Sequence, residues 1–339
     1  MNKYLQFHIL ALSLIFSCWS HSLKADSCYI NNEIIRISPL PIFLNETSSL
    51  CETNEGIWSI NDSHNPSELF LLNRRAYQLW RDSAEEFQNS DFTVFEISNS
   101  NNDWEAMETD GVNLYLGDFG NNSGTRENLK IVVINLDSLR KYYQIKTGIE
   151  MGLKPSNSMS TEFTKIDCRK LVNPEINFKY PKQNNFNKRK LHNYDCEAML
   201  VNEQSIFLLS KNWKSLTCDM YKLPKSPGSY EAQQIGKFNP RFLITDVSKS
   251  QNTLFVCGYG PSGKQYVGQL NLGKITDFEK QKSASNFIQI EDFYRFKLPI
   301  KPAQVEGIHF DQETQQILLS TESRKSQIQS LFLIKTIQD

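Results

Sequence analysis

The sequence lacks the short signatures of several common enzyme classes. It holds five histidines in 339 residues, and none stands in an HExxH pattern. No GxSxG segment marks a hydrolase nucleophile, and no CxxC pair marks a zinc ribbon or a dithiol redox centre. The segment "GYGPSGKQ" at 258–265 lacks the Ser or Thr that a phosphate-binding loop needs after its lysine. A Ser-His-Asp arrangement stays open, because a triad leaves no fixed order in the sequence.

Excess charge of either sign is also missing. The chain has 37 Lys and Arg against 38 Asp and Glu, a net charge of −1. A nucleic-acid-binding domain usually carries a basic stripe, and the basic segment "NNFNKRK" at 184–190 stands alone. We interpret that segment as a surface loop and expect no nucleic-acid partner.

Long apolar runs are absent beyond the amino end. Lys3 precedes the apolar stretch "ILALSLIFSCW", and "SLKA" before Asp26 is a plausible cleavage site, which together predict a signal peptide at 1–25. No later run approaches the roughly 20 residues that span a bilayer. Phe16 does not fit a lipoprotein box ending at Cys18, so we expect ordinary cleavage. The remainder, 26–339, is expected to be one soluble, monomeric domain, periplasmic or secreted.

Six cysteines remain after a leader that contains Cys18 is removed. An even number in an oxidising compartment predicts disulfides, each worth roughly 2–4 kcal/mol. Cys28 and Cys51 could join the first strand to the first repeat. Cys168 could pair with Cys196 or Cys218.

Short apolar runs separated by turn residues are abundant, and they align as five repeats of four strands. First strands are predicted at 47–52, 104–109, 196–201, 245–250 and 305–310. Second strands are predicted at 57–62, 114–118, 206–211, 254–259 and 317–322. The last repeat lacks its fourth strand, and an unpaired strand at 33–38 precedes the first repeat. The pattern therefore predicts an all-β fold, a five-bladed β-propeller whose ring the amino-terminal strand closes.

One segment leaves the blade count open between five and six. The stretch at 137–175 is long enough to hold another blade, but it has no further strand that opens on an acid. We interpret it as an insertion in the second blade. Helical periodicity is limited to short segments at 75–88 and 136–144.

Acids recur at the start of the first strands and the end of the second strands. Because these strands alternate in direction, both positions are expected at one mouth of the central channel. The predicted mouth residues are Glu105, Glu197, Asp246 and Glu306 from first strands, and Asp62, Asp118, Lys211, Tyr259 and Glu322 from second strands. Clustered carboxylates raise each other's pKa unless a cation compensates.

Two explanations of the acids are open at this point. Ca²⁺ prefers six to eight oxygen ligands, and the loops "NDSHN" and "DFGNN", which includes Asn121, add further oxygens. The predicted metal ligands are Glu105, Glu197, Glu306, Asp62 and Asp118. Alternatively, the acids accept backbone hydrogen bonds and hold the blades in register, with Lys211 as a counter-charge.

The segments "WSINDSHNPSE", "DWEAME", "LGDFGNN", "INFKYP", "DCEAML" and "VEGIHF" resemble a group of uncharacterised bacterial secreted propellers. That group has NDSG, DWE(D/A), aEA and EGI motifs. His64 replaces the glycine of NDSG here, and Lys182 follows "YP" where DG is usual. More remotely, the pattern is similar to gluconolactonase-like and phytase-like propellers, which implies calcium held by acids at the channel mouth.

These observations leave three hypotheses for function. The first is an extracytoplasmic protein that binds a divalent cation or small ligand at an acid-lined mouth. The second is a calcium-dependent hydrolase of a lactone, ester or phosphate ester, with His64 as the candidate base. The third is a protein-interaction scaffold without a small-molecule site.

Overall fold

Twenty-three strands form five sheets in the described part of the computed structural model, which comprises residues 28–153, 162–250, 253–271, 288–290, 293–300, 303–324 and 327–338. The leader predicted at 1–25, including Cys18, lies outside these ranges. The five sheets are arranged as blades around one axis, so the predicted five-bladed β-propeller is confirmed. No helix in the described ranges is both long enough and apolar enough to cross a membrane.

The first two blades take up the strands from residue 47 to residue 179. Blade 1 contains β2 (Thr47–Thr53), β3 (Gly56–Asn61), β4 (Glu68–Asn73) and β5 (Phe92–Glu96). Blade 2 contains β6 (Trp104–Thr109), β7 (Asn113–Asp118), β8 (Leu129–Asn135) and β10 (Glu175–Lys179).

The next three blades complete the ring. Blade 3 contains β11 (Cys196–Val201), β12 (Ser205–Ser210), β13 (Cys218–Pro224) and β15 (Gln233–Phe238). Blade 4 contains β16 (Leu243–Ser250), β17 (Thr253–Tyr259), β18 (Gln265–Asn271) and β20 (Phe293–Lys297). Blade 5 contains β21 (Gln304–Asp311), β22 (Gln316–Glu322), β23 (Ser330–Gln338) and β1 (Cys28–Pro39).

Blade 5 joins the two ends of the chain, as the sequence predicts. Strand β1 pairs antiparallel with β23, and the register places Ile37 opposite Phe332 and Pro39 opposite Ser330. The pairing covers the edge that the last three strands would otherwise leave open.

Three blades carry a fifth strand that the sequence analysis did not anticipate. These strands are β9 (Thr164–Asp167), β14 (Gly228–Glu231) and β19 (Ile288–Ile290). They pair in parallel with β5, β10 and β15, the outer strands of blades 1, 2 and 3. Each comes from the connection between the third and fourth strands of the following blade. Blades 1 and 2, 2 and 3, and 3 and 4 are therefore hooked together: a strand from the later blade hydrogen-bonds to the outer strand of the earlier one.

Two helices and two short 3₁₀ turns occupy connections in the described ranges. Helix α1 (Arg74–Ser83) begins after Asn73, whose side chain accepts a hydrogen bond from the Ala76 amide at 3.0 Å. Helix α2 (Leu136–Thr147) and strand β9 lie in the segment between the third and fourth strands of blade 2. The 3₁₀ turns are Ile42–Leu44 and Asn89–Asp91.

Helix α1 ties blade 1 to blade 5. The Tyr77 hydroxyl donates to Asp311 Oδ2 at 2.7 Å, and Arg81 Nη1 lies 3.1 Å from the same oxygen. Asp311 is 1% exposed, so this ion pair is screened from water.

The core of the described chain consists of apolar layers between neighbouring blades. Each of the five blade-to-blade boundaries holds its own cluster of buried side chains. Trp58 and Trp104, both 0% exposed, lie in the layer between blades 1 and 2. Stacking apolar faces on both sides of every sheet explains why the first two strands of each blade read as nearly continuous apolar runs.

The cysteines do not form the disulfides that we expected. Cys51, Cys168, Cys196, Cys218 and Cys257 are all buried and free. Cys168 lies in the layer between blades 1 and 2, whereas Cys196 and Cys218 lie in the next two layers, and packed sheets are about 10 Å apart. That spacing exceeds the reach of a disulfide. The side chain of Cys28 lies outside the described part of the chain.

Candidate functional site: the channel mouth

A β-bulge interrupts the first strand of every blade at an equivalent position. The register skips one residue of the first strand, which is left without a partner on the second strand. The skipped residues are Ser48, Glu105, Glu197, Thr245 and Glu306. Bulges re-aim side chains, and here three of the five carry a carboxylate.

A second set of residues lies beside these bulges, at or just after the ends of the second strands. In blade 1, the Asp62 amide donates to the Glu46 carbonyl, and in blade 3 the Lys211 amide donates to the Asp195 carbonyl. In blade 2, the corresponding donor is Gly120, which bonds the Asp103 carbonyl at 3.1 Å. Tyr259 and Glu322 occupy this level in blades 4 and 5.

Together these residues surround a cavity of about 230 Å³. Its lining includes six carboxylates, two cations and two aromatic rings: Glu46, Asp62, Glu105, Glu197, Glu306, Glu322, Lys211, Arg324, Trp213 and Tyr259. The acids outnumber the cations by six to two, so the cavity attracts cations.

Three carboxylates at one side of the mouth lie close enough to share an ion. One oxygen from each of Asp62, Asp103 and Glu105 lies within 4.8 Å of the other two. Glu105 is 3% exposed, and its Oε1 has no hydrogen-bond partner among the described residues. A buried carboxylate oxygen without a donor is costly unless a cation satisfies it. This group could therefore hold a metal ion.

Gly120 provides the space in which this group sits. A Cβ at position 120 would lie 2.6 Å from Asp103 Oδ2 and closer still to Glu105 Oε1. Any larger residue would displace the two carboxylates. The segment "LGDFGNN" therefore has a steric reason for glycine at position 120.

The mouth carboxyls hold their protons more strongly than ordinary acids. Burial, together with the charges of Asp62 and Asp195, raises the pKa of Asp103 to about 7. Burial also raises the pKa of Glu105, and the carboxylates of Asp62 and Glu197 raise it further. On the opposite side, burial and Glu322 raise the pKa of Glu306 to about 8.

Lys211 neutralises one of the acids. Its Nζ lies 2.6 Å from Glu197 Oε1, and both side chains are at least 95% buried. The ammonium also lies 5.1 Å from the Trp213 ring centroid and 5.6 Å from that of Tyr259, within cation–π range. Burial lowers the pKa of Lys211, but the surrounding carboxylates raise it more, so the ammonium stays charged.

Two of the predicted mouth residues lie elsewhere, because the alignment of the five repeats was out of register at these positions. Asp246 follows the bulged Thr245 and accepts hydrogen bonds from the backbone amides of Ile308 at 2.9 Å and Leu50 at 3.3 Å. Asp118 precedes Gly120 by two residues and accepts from Arg126 Nη2 at 2.8 Å. Neither side chain lines the cavity. Both serve the structural role that we set out as the alternative.

Two loop residues also lie outside the cavity lining. The Asn121 side chain donates to the Tyr194 carbonyl at 2.9 Å and joins blades 2 and 3. His64, the candidate base, is exposed and has a φ of 66°. Glycine adopts this left-handed backbone without strain, whereas the Cβ of His64 makes it less favourable.

The remaining predicted residues do meet at the mouth. Asp62, Glu105, Glu197, Lys211, Tyr259, Glu306 and Glu322 all line the cavity. Of the five predicted metal ligands, Asp62 and Glu105 belong to the three-carboxylate group, and Asp103 is the third member.

Sequence reasoning missed several residues of the site. Asp103 is the first residue of the "DWEAME" segment, but only Glu105 of that segment was predicted to lie at the mouth. Trp213 follows Lys211 by two residues, and Gln304 precedes Glu306 by two. The signal for Asp103 was present in its motif, whereas Gln304 stands at a strand start without any distinctive pattern.

The chain matches no protein-family model and no curated protein. Among solved structures, Myxococcus xanthus glutaminyl cyclase is similar with a TM-score of 0.44 at 11% identity, covering 93% of this chain and 98% of that chain. The Pan2 WD40 domain of Neurospora crassa is similar with a TM-score of 0.32 at 10% identity, covering 86% of this chain and 76% of that chain. Neither similarity bears on the chemistry of the mouth.

Proposed function

We propose that this propeller binds a divalent cation, Ca²⁺, through Asp62, Asp103 and Glu105. The observation that carries the proposal is Glu105 Oε1, a buried carboxylate oxygen with no partner in the described chain and with two further carboxylates within 4.8 Å. Three carboxylates with room for water suit a hard cation that takes six to eight oxygens. No histidine or cysteine is among the described residues that line the cavity, and softer metals favour those ligands.

Binding, rather than hydrolysis, is the activity that we propose. The hydrolase hypothesis needs a base beside the metal, and His64 is exposed outside the cavity lining. Location outside the cytoplasm is part of the proposal, and it is supported by the leader pattern at 1–25 and by the resemblance to secreted bacterial propellers.

Thermal unfolding with calcium and with chelator tests the metal site. Calcium that binds only the folded state stabilises it by RT ln(1 + [L]/Kd), about 2.7 kcal/mol at a hundredfold excess over Kd. Glu105→Gln should abolish most of this shift. It should also raise the melting temperature of the metal-free protein at pH values where Glu105 would ionise, because burial disfavours that charge.

Glu86→Gln is the matched control, since Glu86 is an exposed acid on the chain segment after α1. It should keep the full calcium response. Wild-type melting curves that coincide with and without calcium, together with no heat on calorimetric titration, would rule out the proposed site.

A further inference from the structure

The cavity has a second acceptor group, on blade 5, formed by residues other than those of the three-carboxylate group. Gln304 and Glu322 stand directly opposite each other on β21 and β22, and Glu306 is the bulged residue two positions after Gln304. Directly opposed residues of antiparallel strands project to the same side of a sheet. All three side chains line the cavity.

Gln304 is the observation that indicates a ligand here. It is 8% exposed, its Nε2 donates to Glu306 Oε1, and its Oε1 has no hydrogen-bond partner among the described residues. Gln304 Nε2 is therefore hydrogen-bonded, whereas Gln304 Oε1 accepts no hydrogen bond from the described residues. A buried acceptor in this state calls for an N–H or O–H group from outside the chain.

The charge of this acceptor group favours a cationic donor. Glu306 has no cation within ion-pair distance in the described chain, and Glu322 lies 3.6 Å from Arg324, whose side chain is 55% exposed. An ammonium group carries three N–H donors and no acceptor, which matches two carboxylates and one amide oxygen.

The opposite wall already holds one ammonium. Lys211 Nζ pairs with Glu197 and lies over the rings of Trp213 and Tyr259. With those partners occupied, and with Asp62 and Glu105 assigned to the metal, the acceptors of blade 5 remain for an external ammonium. The cavity of about 230 Å³ has room for several carbon atoms as well, since one water takes up about 30 Å³.

We propose that the cavity binds a small primary amine, with its ammonium group on Gln304, Glu306 and Glu322. The carbon chain would extend toward Tyr259 and Trp213. This inference deepens the proposed function, because it assigns an organic ligand to the cavity in which we place the metal. It rests on different residues, so the two can be tested separately.

Calorimetric titration with butylammonium, in the presence of calcium, tests the amine site. Butanol has a similar shape without the charge, and tetramethylammonium has the charge without N–H donors. Butylammonium should bind, butanol should not, and tetramethylammonium should bind more weakly because it cannot satisfy Gln304 Oε1. Absence of butylammonium binding, or equal binding of butanol, would overturn the proposal.

Two variants locate the amine. Glu306→Gln and Gln304→Leu should each weaken butylammonium binding by roughly tenfold or more, because each removes a hydrogen bond to a charged group. Both should keep the calcium-induced rise in melting temperature, which also shows that they are folded. Glu86→Gln should bind the amine like the wild type. Unchanged amine affinity in both cavity variants would overturn the assignment.

The two proposals fail in different ways. Loss of the calcium response in Glu105→Gln with amine binding retained supports separate sites. A wild type that responds to calcium but binds no amine contradicts this inference alone. A wild type that binds amine but does not respond to calcium contradicts the metal proposal alone.

Discussion

Lys211 Nζ and Glu197 Oε1 lie 2.6 Å apart in the cavity. Glu197 is on β11, and Lys211 directly follows β12, the neighbouring strand of blade 3. The pair removes one carboxylate from the set available to an external cation. Among the described residues, blades 2, 3 and 5 each have a glutamate at the bulge, and that of blade 2 belongs to the three-carboxylate group.

The first prediction concerns this pair. Lys211→Met should leave the Glu197 charge buried without a partner and lower the free energy of unfolding by about 3–5 kcal/mol at neutral pH. Urea denaturation measures the change. Lys214→Met, at an exposed position three residues later, should have little effect. Equal stability of the two variants would show that Lys211 is not required to compensate Glu197.

The second prediction concerns Gly120. Gly120→Ala should weaken calcium binding by at least about tenfold, because the added Cβ overlaps Glu105 Oε1 and the Asp103 carboxylate. Gly260→Ala, in the corresponding loop of blade 4, is the control, since its Cβ would meet no atom closer than 3.1 Å. Calcium titrations of both variants that match the wild type would contradict the placement of the metal.

The third prediction concerns pH. Burial, with neighbouring acids, raises the pKa of Asp103 to about 7 and of Glu306 to about 8, above the values of the same groups in the unfolded chain. The folded state therefore binds more protons between about pH 4.5 and pH 8. The free energy of unfolding of the metal-free protein should fall as pH rises through this window.

Calcium should reverse this trend, because it binds the ionised carboxylates. Urea denaturation at pH 6 and pH 8, with chelator and with calcium, measures both effects. A metal-free protein that is more stable at pH 8 than at pH 6 would show that the mouth acids are compensated in another way.

The fourth prediction concerns the thiols. Cys51, Cys168, Cys196, Cys218 and Cys257 are free and buried, and burial raises the pKa of each thiol. All five should be inert toward a thiol reagent in the folded protein and should react after denaturation without a reductant. Recovery of at least five reactive thiols in denaturant checks the correction of the disulfide prediction, with Cys28 able to add a sixth.

The blades and the closure of the ring could be predicted because apolar runs and turn residues mark each strand locally. The missing fourth strand of the last repeat and the extra strand at 33–38 were both visible in the sequence. Strands β9, β14 and β19 could not be predicted, because each is three or four residues long and pairs with a blade that is distant in the chain.

The errors at the mouth have a common cause. A bulge adds one residue without changing the apolar pattern, so Asp246 was aligned with Glu105 when Thr245 is the equivalent residue. A similar irregularity after Asp118 places Gly120 at the level of Asp62. Because side chains alternate along a strand, a shift of one residue moves an acid off the cavity wall.

The hooked outer edges of the blades also constrain the order in which this chain can fold. Strand β9 completes blade 1 but belongs to the connection within blade 2, and the same dependence links blade 2 to blade 3 and blade 3 to blade 4. No blade among these three can acquire its full hydrogen bonding before the next has begun to form. Strand β1 pairs with β23, about three hundred residues later in the chain. Such remote pairing slows folding, so we expect the pairing of β1 with β23 to be a late step of assembly.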